Sequence, residues 1–148
     1  VRASRIATLV VGLILAVDRS VAADEPAPLA IAVIVGAKST VTRVSLDDLR
    51  EVYLRRRRLW PDGSRAIPIN LPPDHPARER FSKLVLGRAT QDLSAYWEAR
   101  YFEGITPPAV LQSPAAIRAY LAAEPTAIGY VPLADVDDTC RTLLVLHR

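Results

Sequence analysis

Residues 45–81 read SLDDLREVYLRRRRLWPDGSRAIPINLPPDHPARERF, and the order of signals in this stretch decides the fold. Ser45 followed three residues later by Asp48 is a capping-box pattern, with Asp in place of the commoner Glu. Leu46, Leu49 and Tyr53 recur at helical spacing behind it, so the stretch opens with an amphipathic helix. Asp47 and Asp48 stand at the positive end of its dipole. Arg55, Arg56, Arg57 and Arg58 stand at or beyond the negative end, so the charges stabilise the helix before they do anything else. Pro61-Asp62-Gly63-Ser64 is a turn, and the apolar run at 66–70 is a strand in which Pro68 predicts an edge position or a bulge. Pro76 suits the first turn of a second helix, capped by Asp74 or His75, with Ala77, Phe81, Leu84 and Val85 as its buried stripe and Gly87 as its stop. A loop and a helix N-terminus therefore lie just beyond the carboxyl end of a strand, where open α/β sheets bind small ligands, often anions.

Working outward, residues 30–35 form a short continuous apolar run before Gly36, which predicts a strand covered on both faces. A loop through Lys38, Ser39 and Thr40 leads to the first helix. A third helix is predicted from Thr90, with Leu93, Tyr96, Trp97 and Tyr101 at helical spacing and Gly104 at its end; these aromatics read as packing residues. Ser113 and Pro114 open a fourth helix that turns Ile117, Tyr120 and Leu121 inward before Pro125 closes it. Residues 127–131 and 142–146 are the last strand candidates. Strands separated by helices predict a three-layer α/β domain with a largely parallel or mixed sheet of about four or five strands flanked by helices.

The first residues have the pattern of a secretory signal peptide. Arg2 and Arg5 supply a basic segment, residues 7–17 an apolar one, and Val21-Ala22-Ala23 the small residues that precede cleavage, placed here after Ala23. The apolar run is shorter than the roughly 18 residues of a membrane span, so no stable membrane anchor is expected after cleavage. Residues 24–29 then read as a flexible Pro- and Ala-rich leader, and residues 30–148 as one domain. Removing three arginines and one aspartate with residues 1–23 reduces 19 basic and 16 acidic residues to 16 and 15. A nearly neutral mature chain argues against nucleic acid or an anionic membrane as a bulk partner. The location expected is periplasmic or secreted.

The helix 45–54, Trp60-Pro61-Asp62-Gly63 and the later Ala127-Ile128-Gly129-Tyr130-Val131 together resemble the phosphate-binding-protein-like branch of the periplasmic solute-binding proteins, the substrate-binding components of phosphate ABC transporters. The resemblance runs from about residue 30 to 146. It implies a periplasmic-binding-protein-like (type 2) domain. Members of that family usually close two lobes around a solute, and the 125 residues from 24 to 148 suffice for about one. It also implies a phosphate held by backbone and hydroxyl donors at a Ser-Gly-Thr type turn opening the helix after a strand.

In this chain the corresponding segment, residues 70–78, reads NLPPDHPAR. Pro72, Pro73 and Pro76 remove three backbone donors, and Asp74 puts a negative charge where an oxyanion would sit. The candidate ligand residues that remain are Asn70, His75 and Arg78 with the amides near residues 77–79, and the loop at Ser39 and Thr40 is a candidate second wall. The run Arg55, Arg56, Arg57 and Arg58 is a candidate docking surface for an envelope or transporter protein, against its simpler reading as a solvated face.

Catalysis finds little footing. His75 and His147 are the two histidines, and neither a metal-ligand spacing, a nucleophile elbow, a P-loop nor any other cofactor motif can be read. Cys140 has no second cysteine to pair with and no neighbour in sequence to lower its pKa. The resemblance implies a receptor-like lobe binding a small anion such as phosphate; the altered turn and the single lobe point to an alternative, an envelope interaction module that keeps the scaffold and has lost the ligand site.

Overall fold

Six consecutive residues, Ile31–Gly36, form β1, and all are buried, so the strand is covered on both faces. The computed structural model describes residues 27–147; the signal-peptide reading of residues 1–23 and the start of the leader lie outside the described residues. After β1 come α1 (Leu46–Tyr53), β2 (Ile67–Asn70), α2 (Pro76–Phe81), α3 (Ser94–Phe102), β3 (Ala109–Val110), α4 (Pro114–Ala123), β4 (Ala127–Pro132) and β5 (Cys140–Leu146). The strands make one sheet in the order β3-β2-β4-β1-β5. It is mixed: β2 is parallel to β3 and β4, and β1 is antiparallel to β4 and β5.

Alternation along β4 shows how the layers are built. At Gly129 a Cβ would meet side chains of Ile117 and Leu121, so this position faces α4. Tyr130, one residue on, points the other way, where Phe81 of α2 stacks on its ring and Tyr53 of α1 lies 5.9 Å from it. Helices α1 and α2 therefore cover one face and α4 the other, which is the three-layer arrangement predicted. β1 follows the same rule through its pairing, with Val33 opposite Tyr130 and Ile34 opposite Gly129.

The ends of the helices are fixed by the residues the sequence singles out. Ser45 and Asp48 form the reciprocal capping box of α1, His75 caps α2 and Ser113 caps α4. Beyond α2 the chain continues as a π-helical turn, Ser82–Leu86, and stops at Gly87 with φ 69°. Trp60 is buried, and its indole N–H donates to the Thr126 carbonyl at 2.9 Å, tying the hairpin around Gly63 to the start of β4.

Four details differ from the sequence reading. β3 carries no pattern of its own and exists because Ala109 and Val110 pair with Ile69 and Asn70. β2 is therefore internal, although β3 is so short that Pro68 has no partner on that side. Leu46 and Tyr120 were expected to face inward and are exposed, because Val52 completes the inner face of α1 and Ile117 with Leu121 suffices for α4. Helix α3 buries none of its residues; Tyr101 and Phe102 are 69% and 90% exposed, and only Leu93, in the 3₁₀ turn before it, reaches the interior.

Candidate functional site

Asn70 ends β2 at the carboxyl edge of the parallel strands, and its side chain is buried because it lies on the same face as Tyr130. The Tyr130 hydroxyl donates to Asn70 Oδ1 at 3.1 Å and accepts the Leu71 N–H at 3.4 Å. Burial pushes the Tyr130 phenol up to about 12, against the opposing pull of the Arg78 charge. The phenol is thus a fixed neutral donor. Arg78 Nη1 donates to the Leu71 carbonyl at 3.1 Å, so Asn70, Leu71, Tyr130 and Arg78 form one hydrogen-bonded unit.

Arg78 is only 8% exposed, and among the described residues no carboxylate pairs with it. It borders a groove of about 430 Å³ whose other walls include Glu79, Thr90, Gln91, Trp97 and Pro108. An unpaired guanidinium in such a place favours a counter-charge, since a buried ion without a partner is costly. Glu79 does not serve that role. Its carboxylate accepts the Thr90 N–H at 2.9 Å and meets Lys83 at 3.0 Å, and these donors hold it down at about 2.

The helix terminus beside the groove is closed to a ligand. Pro76 has no N–H, the Ala77 N–H donates to His75 Nδ1 at 3.1 Å, and the N–H groups of Arg78 and Glu79 donate to the His75 carbonyl at 2.9 and 3.3 Å. The amides near residues 77–79, expected to be free for an anion, are all spent on the cap, and His75 is spent with them.

Ser39 and Thr40 do not form a second wall. They follow β1, which runs antiparallel to β4, and so they stand at the opposite edge of the sheet from Asn70 and Arg78. There the Ser39 hydroxyl accepts the Val41 N–H, and Thr40 donates to Asp62 at 3.1 Å beside the Trp60 turn. Of the five residues singled out in the sequence, the structure brings together Asn70, His75 and Arg78 around one segment, and two of these share the buried network. Tyr130 joins them unannounced, although alternation around Gly129 could have placed it; Thr90 and Trp97 reach the groove with no sequence signal.

In the arginine run, Arg56 and Arg57 pair with Glu51 and Asp48 of α1, while Arg55 takes φ 59° and turns aside. Burial pushes the half-buried Cys140 thiol up, which suits a packing residue. Among the described residues no helix is long and apolar enough to cross a membrane, and no cluster of three His, Cys, Asp or Glu could hold a metal ion.

The sheet with this strand order is covered on both faces and carries its groove at the carboxyl edge of the parallel strands. Solved structures with the same fold include the following. An ABC-type phosphate transport receptor from Vibrio cholerae superposes with a TM-score of 0.62 at 14% identity, over 79% of this chain and 47% of that one. A putative phosphate ABC transporter substrate-binding protein with bound phosphate from Clostridium perfringens gives 0.62 at 16% identity, over 78% and 45%. PstS from Borrelia burgdorferi gives 0.59 at 15%, over 78% and 46%. The chain thus has a PstS-like fold and spans less than half the length of these receptors. No protein-family description and no curated protein matches it.

Proposed function

We propose that the chain is an exported, non-enzymatic, receptor-like lobe that binds a small anion in the groove beside Arg78. The observation that carries this reading is the guanidinium of Arg78, buried at the carboxyl edge of the parallel strands with no carboxylate partner among the described residues. The fold supports the same location, since ligands of open α/β sheets sit at that edge. The mode of binding differs from what the resemblance implies: a side-chain cation replaces the backbone amides, which here are spent on His75. One cation without an amide cradle holds an anion weakly. Export rests on the signal-like pattern of residues 1–23.

Thermal unfolding with phosphate, sulfate and acetate added in turn tests the proposal. A ligand at a hundred times its Kd stabilises by about 2.7 kcal/mol, a readily measured rise in Tm. No rise with any anion would remove the reading.

A second reading, an envelope protein-interaction module, is favoured by α3, which projects Tyr101 and Phe102 into solvent and buries nothing of its own. Replacing both by Ser abolishes partner capture under that reading and leaves anion binding untouched. Loss of neither removes it.

A further inference from the structure

Four consecutive arginines suggest one cationic surface, but the fold divides them. Arg56 lies 3.3 Å from Glu51 and Arg57 pairs with Asp48, so these two are neutralised by the helix they follow. Arg55 and Arg58 are not. Together with Arg65, which the Leu59–Arg65 bridge brings back alongside the run, they line an open cavity of about 300 Å³. A second cavity of about 330 Å³ continues from it, sharing Arg55 and Arg65 and adding the hydroxyl residues Thr106 and Tyr120. No Asp or Glu lines either cavity, and among the described residues none of the three arginines forms an ion pair.

The cluster is uncompensated in other ways. Arg55 Nε is buried with no hydrogen-bond partner. The residue sits at φ 59° because it is the left-handed position that ends α1, where the Arg55 N–H donates to the Val52 carbonyl at 3.1 Å and the Arg56 N–H to the Glu51 carbonyl at 2.9 Å. Burial and then the charges of Arg58 and Arg65 all push the Arg55 guanidinium down. An orphaned donor and like-charge repulsion at one place are features that a bound polyanion relieves together.

We propose that Arg55, Arg58 and Arg65 form a second anion site, distinct from the Arg78 groove, for a multiply charged oxyanion of the phosphate or pyrophosphate kind. Guanidinium groups present paired N–H donors that match phosphate oxygens, and three positive charges with no internal carboxylate call for more than one negative charge. The segment Pro107–Pro108 lines both the second cavity of this site and the Arg78 groove. The site needs no helix N-terminus and does not depend on whether the Arg78 groove is occupied.

The test is calorimetric titration of inorganic pyrophosphate, and separately of inorganic phosphate, into the full chain at low ionic strength. Pyrophosphate is expected to bind, and to bind at least about tenfold more weakly to the double variant R58Q/R65Q. The variant R56Q/R57Q is expected to retain the wild-type affinity. Without ligand, R65Q is expected to raise Tm, because it removes a repulsive neighbour of Arg55. Phosphate binding that R78Q abolishes and R58Q/R65Q leaves intact belongs to the other groove. No pyrophosphate binding, an equal loss in R56Q/R57Q, or a Tm that falls in R65Q would each overturn the proposal.

Discussion

The ring of Phe81 lies flat on the ring of Tyr130, with centroids 3.9 Å apart and planes 3° from parallel. One residue closes the stretch that begins at Ser45, and the other sits in the Ile-Gly-Tyr strand nearly fifty positions later, so this contact joins the two segments on which the family resemblance rests. Tyr53 packs against Phe81 at 4.7 Å and completes the cluster between α1, α2 and the sheet. Phe81→Ala is therefore expected to cost about 3–5 kcal/mol in urea unfolding. Tyr130→Phe keeps the stack and strands Asn70 Oδ1 and the Leu71 N–H, for a loss of about 1–3 kcal/mol. Equal effects of the two variants would mean that the hydroxyl, not the ring, carries the contact.

Two glycines separate backbone crowding from side-chain crowding. A Cβ on Gly36 would lie 2.0 Å from the Leu121 carbonyl oxygen, an atom fixed by α4, whereas a Cβ on Gly129 would lie 2.7 Å from a methyl group of Ile117 that can shift. Gly129→Ala is expected to cost about 1–3 kcal/mol. Gly36→Ala is expected to cost more, because α4 must move off the sheet. Denaturant midpoints of the two variants measure the difference, and a Gly36→Ala protein as stable as wild type would show that α4 is not seated there.

Glu79 gives the stability a pH dependence of known sign. Its carboxylate, ordinarily near 4.5, is held at about 2 by the Thr90 N–H first and Lys83 next. A depressed carboxylate contributes stability above its unfolded pKa and loses it as pH falls through the folded one. Urea midpoints should therefore drop between about pH 5 and pH 2, and the drop should be smaller in Glu79→Gln. Identical pH profiles for the two proteins would place the sensitivity elsewhere.

The fold was legible where the sequence signals are local. The box of Ser45 and Asp48, the first-turn prolines Pro76 and Pro114, and the apolar runs of β1 and β4 each fix a backbone conformation from neighbouring residues. β3 was not legible, since two residues become a strand only by pairing with Ile69 and Asn70. The outward aromatics of α3 were misread for a related reason, because helical spacing gives a face and not what covers it. In the candidate site, Asn70, His75 and Arg78 could be named from their place after a strand. That His75 spends the helix amides on itself, and that β1 carries Ser39 and Thr40 to the far edge, are consequences of cap geometry and strand direction.

Anion binding at Arg78 is tested most directly by calorimetric titration of phosphate and acetate into the wild-type chain, Arg78→Gln and His75→Gln, with folding of each checked by its thermal transition. At least one anion is expected to bind wild type, with a loss of about tenfold or more in Arg78→Gln and little change in His75→Gln, whose imidazole serves the helix and not the ligand. Unchanged affinity in Arg78→Gln, or no binding by the wild-type chain, would contradict binding at Arg78.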